Sequence, residues 1–314
     1  MSLGKFTNYK QGLRGALFLL TLSCAIFSLC LSSASFAVSQ DQADSSLADK
    51  EGRTELMHAA RAEDNEKVKF LLEHNADPNL VGKDDWTALM IAAYTGNVEI
   101  TKLLLEHNAD PNLANKAGGT ALTLAVLYSE HVKVVKLLLE HKANPNLVNT
   151  EGRTALMHAA LLGDVNKVKL LLEHGANPNL VDKNGKTALM EAVFTHAAFL
   201  GNVDVVKFLL KYKAELNLVD TEGRTALMHA ALLGDVDVVK LLLKHKADPN
   251  LVDIEGWTAL MRAASTGNIE ITKLLLEHNA DPNLVDKEGK TAQDIAVNKD
   301  IVKFIEEYKK QKAD

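Results

Sequence analysis

Apolar and polar residues alternate with a helical period in the stretch NTEGRTALMHAALLGDVNKVKLLLEHGANPNLVD, residues 149–182. Leu156, Ala159 and Ala160 fall on one face of a short first helix, and two small residues let another helix come close. The hydroxyl of Thr154 is placed to cap the first exposed amides of this helix. Gly163 marks its end.

A second helix follows at once in the same stretch. Asp164 is its predicted cap, and apolar residues recur at helical spacing behind it: Val165, Val168, Leu171 and Leu172. Gly175 stands at the left-handed C-terminal position. Asn177-Pro178-Asn179 then takes the chain into an extended turn. The pattern therefore predicts a helix-turn-helix unit with an extended turn tip.

This unit recurs along the chain. The threonines that begin the first helices are Thr54, Thr87, Thr120, Thr154, Thr187, Thr225, Thr258 and Thr291, with spacings of 33, 33, 34, 33, 38, 33 and 33 residues. A fixed period of this size is typical of a solenoid, in which each unit buries its apolar faces against its neighbours. The predicted units lie near 49–81, 82–114, 115–148, 149–181, 182–219, 220–252, 253–285 and 286–314. The last, with its charged end, is predicted to cap the stack.

At these residues the chain resembles the ankyrin repeat family, whose pattern is roughly D-x-x-G-x-T-P-L-H-x-A-A, a Gly, and I-V-x-x-L-L-x-x-G-A-D-x-N. Asp220 to Asn250 follows most of it, and the resemblance covers about residues 49–314. Alanine replaces the family's proline, as at Ala155, and methionine mostly replaces its histidine, as at Met157; methionine fills the same volume. The resemblance implies an all-α ankyrin-repeat solenoid of about eight units.

The resemblance also implies that a protein partner binds in a concave groove formed by turn tips and first helices. Tryptophan and arginine dominate interface hot spots, and contiguous apolar groups mark interaction surfaces. For both tryptophans the alternative is that they cover the neighbouring turn, and repeat duplication alone explains why units two and seven share one. The residues predicted to contact a partner are Trp86, Tyr94, Tyr128, Arg153, Leu161, Leu162, Phe199, Arg224, Leu232, Leu233 and Trp257.

The fifth unit breaks the period. Its stretch FTHAAFLGN, residues 194–202, holds five extra residues where other units turn between helices. An extended first helix or a bulged loop would project His196, Ala198 and Phe199 there, and insertions in solenoids often lie on the binding face. A tolerated loop of no function is the alternative.

The histidines do not predict a catalytic or metal-binding site. Six of them recur near the ends of second helices: His74, His107, His141, His174, His245 and His278. Copies in adjacent units should stand about 10 Å apart, whereas zinc holds its ligands at ~2 Å. A second row places Glu191 between His158 and His229, with Arg262 beyond, and suggests a charge ladder. No nucleophile or phosphate-binding loop accompanies it, so no enzyme activity, metal or cofactor is expected.

Residues 1–37 differ from the array. Lys5, Lys10 and Arg14 precede an apolar run from Gly15 to Leu31, and small residues follow up to Ala37. This predicts a secretory signal peptide cut after Ala37, with an uncleaved membrane anchor at residues 15–31 as the alternative. Residues 38–48 are expected to be a polar, flexible leader. Both cysteines fall within residues 1–37, so the mature chain is expected to have no disulfide.

Charge narrows the range of partners. The formal net charge of −6 becomes −9 once residues 1–37, which contribute +3, are removed. An acidic chain argues against nucleic acid and anionic membranes, and no small-molecule substrate is indicated. The sequence thus predicts a non-enzymatic, exported, monomeric protein of bacterial type that binds a protein. The alternatives are a periplasmic scaffold or protector of a resident protein and, least favoured, a metal or catalytic protein using Glu191, His158 and His229.

Overall fold

The computed structural model describes residues 48–196 and 203–313, which form sixteen α-helices arranged in eight pairs. The first helices of the pairs are α1 (Glu55–Arg61), α3 (Ala88–Thr95), α5 (Ala121–Val126), α7 (Ala155–Leu162), α9 (Ala188–His196), α11 (Ala226–Leu233), α13 (Ala259–Thr266) and α15 (Ala292–Ile295). The second helices are α2 (Asn65–Glu73), α4 (Val98–Glu106), α6 (Val132–Glu140), α8 (Val165–Glu173), α10 (Val203–Lys211), α12 (Val236–Lys244), α14 (Ile269–Glu277) and α16 (Lys299–Ala313). Two single 3₁₀ turns lie at Lys83–Asp85 and Ser129–His131.

Each first helix begins at the threonine that the sequence predicted. The Thr154 hydroxyl accepts a hydrogen bond from the amide of Met157 at 3.3 Å, and the other seven threonines do the same in their units. Gly163 ends α7 in the left-handed conformation, with φ of 71°. Asp164 then caps α8 by accepting from the amide of Lys167. Thr154 thus fixes the start of α7, and Gly163 and Asp164 fix the tight turn between α7 and α8.

The core is a continuous row of buried alanine, leucine, valine and methionine side chains. First helices pack on first helices of neighbouring units, and second helices on second helices. Ala159 and Ala160 are completely buried between them, as close approach requires. The methionines that replace the family's histidine are all buried: Met57, Met90, Met157, Met190, Met228 and Met261. The all-α repeat solenoid predicted from the period is confirmed.

Backbone hydrogen bonds join the turn tips of neighbouring units. The amide of Lys183 donates to the carbonyl of Glu151 at 3.0 Å, and six equivalent bonds continue along the described array. Within a tip, the Asp182 carboxylate accepts from the amides of Asn184 and Lys186. This aspartate or asparagine recurs in seven units; the second has Gly82 instead. The tips therefore form a regular edge that carries the residue before each threonine.

Asparagine side chains tie the units together on the other side of the repeat. The Asn146 amide oxygen accepts from the backbone amide of Asn177 at 2.7 Å, while its Nδ2 donates to the carbonyl of Gly175. Equivalent links to the following unit are made by Asn79, Asn112, Asn179, Asn217 and Asn250. The Pro-Asn pairs thus serve as unit-to-unit spacers as well as turns.

Candidate functional site

Three aromatic rings form a continuous row across units two and three. Trp86 comes from the second turn tip, Tyr94 from the last turn of α3, and Tyr128 from the segment after α5. The Trp86 and Tyr94 rings meet edge to face at 6.0 Å, and those of Tyr94 and Tyr128 at 5.3 Å. All three side chains are half-buried. We call these residues the aromatic row; it presents ring surface on the side of the first helices and turn tips.

The second tryptophan sits in a different environment. The Arg262 guanidinium lies over the Trp257 ring at 4.6 Å and also pairs with the Asp253 carboxylate of the same turn. In unit two, Ile91 and Gly82 occupy the positions of Arg262 and Asp253. Although the two units match closely in sequence, their tryptophans are therefore packed differently. Both rings also pack against the hydrophobic core, so part of each ring has a structural role.

The leucine pairs are less exposed than the sequence suggested. Leu162 is 49 % exposed, but Leu161, Leu232 and Leu233 are half-buried. Leu233 packs against the core, and Leu232 and Leu233 line a shallow groove with Thr266, Asn268 and Ile269. For Leu232 and Leu233 the reason is that residues 266–269 between the helices of the following unit lie beside them.

Both predicted arginine contacts take part in internal ion pairs. Arg224 binds the Asp220 carboxylate of its own turn, with Nε to Oδ2 at 3.0 Å. Arg153 lies in an identical local sequence, yet it reaches the next unit, where it contacts Asp182 at 3.3 Å and Glu191 at 2.8 Å. Two residues account for the difference: the neutral Asn149 replaces Asp220 in the fourth turn, and the following unit offers Glu191 to Arg153 where the cation Arg262 stands beyond Arg224. Contact of either arginine with a partner stays a prediction.

The residues four positions after the capping threonines form the row that contains Glu191, and their side chains join first helices to turn tips. The His229 imidazole and the Asp220 carboxylate are 3.0 Å apart and both 1 % exposed; His58 and Asp49 repeat this pair in unit one. Hydrogen bonds from backbone amides and from His229 hold the pKa of Asp220 well below its usual range despite burial. Burial lowers the pKa of His229, so a neutral imidazole donates to an ionised Asp220.

Burial also shifts the other two groups of this row. The pKa of Glu191 is raised by burial, which the Arg153 charge opposes. The pKa of His158 falls to about 4 because burial and the positive charge of Arg153 disfavour its protonation. Within the part of the chain that the structure describes, no three His, Cys, Asp or Glu side chains could hold a metal. The arrangement is that of structural ion pairs.

The six helix-end histidines are caps. In five of them Nδ1 lies 2.7–2.9 Å from the carbonyl oxygen four residues earlier, as for His174 and Leu170. Each of these five imidazoles thereby adds a second hydrogen bond to a carbonyl in the last turn of the helix that already accepts from the histidine's own backbone amide. This geometry explains why the residue recurs once per unit.

One buried residue escaped the sequence analysis. Lys167 on α8 is completely buried, and its Nζ donates to the carbonyl oxygens of Val126 and Tyr128 in unit three. It also lies 3.4 Å from the Asp164 carboxylate. Unit three has no glycine after α5, and α6 has no side-chain cap. The lysine therefore satisfies the carbonyl of Val126 at the end of α5, and it is a second donor to that of Tyr128, which also accepts from the His131 amide.

The enlarged fifth unit is described only in part. Helix α9 has nine residues, one more than α7 and α11. Phe194 is buried, contacts the His229 ring at 4.6 Å and lies beneath the Lys186 ammonium at 4.3 Å. Ala198 and Phe199 lie outside the described residues, as do residues 1–37 with their predicted signal peptide. Among the helices of residues 48–196 and 203–313, none has the length and apolarity to cross a bilayer.

Comparisons with known proteins identify the repeat. A family model described as "Ankyrin repeats (3 copies)" matches residues 56–149 and 122–197, and one described as "Ankyrin repeats (many copies)" matches residues 194–243 and 227–276. The solved ankyrin repeat domain of Bcl-3, described as a unique member of the IkappaB protein family, is similar with a TM-score of 0.64 and 27 % identity. The match covers 71 % of this chain and 100 % of that domain. No curated protein matches the chain.

Proposed function

The chain belongs to the ankyrin repeat family, and we propose that it is an exported protein that binds another protein in the groove between its turn tips and first helices. Ankyrin repeats are in general protein–protein interaction modules, and their fold is a known non-enzymatic scaffold. The proposal concerns where on this chain the partner binds, and in which compartment.

The aromatic row carries the proposal. Its rings come from a turn tip and from two first-helix ends, and they are in contact across two units. Half-buried rings held edge to face are rigid, so they offer large contact area at little cost in conformational entropy. Leu162, the most exposed of the predicted leucines, adds apolar surface one unit further along. Aromatic anchors of this kind dominate interface energies.

Alanine substitution in the aromatic row tests the binding site. Partner proteins are first identified by capture with the wild-type protein, from a periplasmic extract and from other cell extracts. The affinities of the wild type and the variants for these partners are then measured by calorimetry. Trp86→Ala and Tyr94→Ala are each expected to raise the Kd about thirtyfold, the ~2 kcal/mol of a hot-spot side chain. Trp86→Phe should keep much of the affinity, which separates binding from folding.

The matched control is Phe70→Ala. Phe70 is an aromatic residue on α2 with 51 % exposure, and it lies on a second helix, away from the proposed groove. Its substitution should leave the Kd unchanged. Equal effects of Phe70→Ala and Trp86→Ala, or no effect of either aromatic-row variant in a protein with wild-type circular dichroism, would refute the groove.

Export is the other part of the proposal. It is supported by the three basic residues, the apolar run of residues 15–31 and the small residues up to Ala37. We expect the mature protein to begin at Val38 and to be recovered from a soluble exported fraction. N-terminal sequencing checks this. A chain that retains residues 1–37 and sediments with membranes would instead establish the anchor.

A further inference from the structure

A line of exposed valines runs along the array beside the turn tips. In each unit one residue immediately precedes the aspartate or asparagine of the turn, or Gly82 in unit two. The six valines at this position are 46–51 % exposed: Val81, Val148, Val181, Val219, Val252 and Val285. Ala48 and Ala114 complete the series and are also exposed. We call these eight residues the valine stripe.

The backbone explains why these side chains point outward. The segment is extended, so alternate side chains face opposite sides. Leu180 packs against the core, Val181 is exposed, and Asp182 is buried again. The valine stripe is therefore a fixed consequence of the turn and does not depend on side-chain rotamers.

Backbone preference alone does not account for the apolar character of the stripe. β-Branched residues suit extended backbone, but alanine, which does not, stands at two of the eight positions. Exposed positions nearby have diverged among the units: the residue after the turn aspartate is Lys183 in one unit, Thr221 in the next and Ile254 in the one after. The stripe has stayed apolar in all eight while its exposed neighbours changed.

We propose that the valine stripe is a self-association surface, in which a second copy of this chain pairs along it in antiparallel order. A stripe with equal steps is best matched by a surface with the same steps, and the chain's own stripe provides it. An antiparallel pair is closed by a twofold axis, so the same patch of both copies is used and no further copy is added.

The size of the stripe fits a stable pair. Eight positions separated by about one helix diameter, ~10 Å, make a line about 70 Å long. A contact about 10 Å wide along it would cover about 700 Å² of each copy, close to the ~800 Å² that one partner contributes to a standard interface. Partial overlap of a few units would fall short, so the pair must use most of the stripe.

Charge also favours a second copy over other occupants. The exposed tips beside the stripe carry both signs, as at Lys83 and Asp84, Glu151, and Lys183. A mixed row is complementary to itself in antiparallel order, whereas an anionic membrane would be repelled by a chain of net charge −6. The dimer proposed here differs from the monomer expected from the sequence, because exposure at these positions is visible only in the structure.

Light scattering with size-exclusion chromatography and sedimentation velocity test the dimer on the full-length protein over a concentration series. The triple variant Val148→Thr, Val181→Thr, Val219→Thr keeps the β-branch and the volume but adds a hydroxyl at the centre of the stripe. We expect the wild type to reach twice the monomer mass, and the triple variant to raise the dissociation constant at least a hundredfold. Val98→Thr, on an exposed valine of α4, should dimerise as the wild type does.

A photo-cross-linking residue at position 81 tests the order of the pair. In antiparallel pairing, Val81 of unit two faces Val252 of unit seven in the second copy, so cross-links should map to unit seven. The proposal fails if the wild type stays monomeric throughout the series, if the triple variant associates as strongly, or if cross-links join unit two to unit two. These measurements need no partner protein, so they stand or fall independently of the groove.

Discussion

Replacing Lys167 by alanine should lower the free energy of unfolding by about 3–4 kcal/mol, since it leaves the buried carbonyl oxygen of Val126 without a donor, removes one of the two donors to that of Tyr128 and opens a cavity. The lysine Nζ lies 3.0 Å from the carbonyl oxygen of Val126 and also binds that of Tyr128. Lys167→Val should not restore stability, although Val238 fills the equivalent position of unit six, because the Val126 carbonyl would still be unsatisfied. Urea denaturation measures both variants.

The chain supplies a matched control for this prediction. Lys67 occupies the same position in unit one, where it is 40 % exposed and pairs with Glu55. Lys67→Ala should cost less than about 1 kcal/mol, as for other exposed ion pairs. If Lys67→Ala and Lys167→Ala lose equal stability, or Lys167→Val is as stable as the wild type, the capping role of Lys167 is wrong.

Arg153→Ala should destabilise the array by about 3 kcal/mol, at the lower end of the loss when one partner of a buried ion pair is removed. It leaves Asp182 and Glu191, whose side chains are 1 % and 3 % exposed, without the guanidinium that binds both. Lys186 remains near Glu191 and limits the loss. Adding Glu191→Gln should recover part of the stability, because it removes one of the two adjacent negative charges.

The loss of stability caused by Arg153→Ala should also depend on pH. Burial raises the pKa of Glu191, so the folded state takes up its proton before the unfolded state does. The penalty for a charged Glu191 is therefore present at neutral pH, and it declines as the pH falls through the raised pKa toward the ordinary value of this carboxyl. The stability difference between Arg153→Ala and wild type should shrink over that range.

Arg224→Ala is the control for Arg153→Ala, because the flanking sequences are identical. Asp220 keeps two backbone amides and His229 as donors when Arg224 is lost, so the cost should be smaller, about 1–2 kcal/mol. In the pH range over which the Arg153→Ala effect declines, the loss should change less with pH there, because Asp220, whose pKa lies well below its usual range, stays ionised. An Arg224→Ala variant as unstable as Arg153→Ala, or a stability difference for Arg153→Ala that does not change with pH, would contradict the inter-unit role of Arg153.

The regular parts of the fold could be predicted from the sequence because each is decided locally. Thr154, Gly163 and Asp164 specify a cap, a left-handed stop and a second cap through their own backbone neighbours, and the 33-residue period repeats them. The sequence placed both tryptophans at turn tips, where the structure shows them. Contact between Tyr94 and Tyr128 was not predicted, since it joins the first-helix ends of two different units.

Features that depend on two units were missed or only half predicted. Lys167 was overlooked because Val165, Val168 and Leu171 recur at helical spacing and account for an apolar face of α8 without it. The reason for a buried lysine lies in the preceding unit, which lacks a glycine after its first helix, α5. Arg153 was predicted as a partner contact from its position alone. Its ion pairs with unit five depend on the neutral Asn149 of its own turn and on the carboxylates of Asp182 and Glu191 in the next unit. A pattern aligned within one repeat does not contain such information.

Hydrogen exchange of the protein with and without a captured partner tests most directly whether the groove binds proteins. We predict that binding slows amide exchange in residues 86–96 and 119–131, the segments that carry the aromatic row, while the second helices of the same units exchange as in the free protein. Protection confined to the second helices, with unchanged exchange around Trp86, Tyr94 and Tyr128, would contradict the proposed binding site.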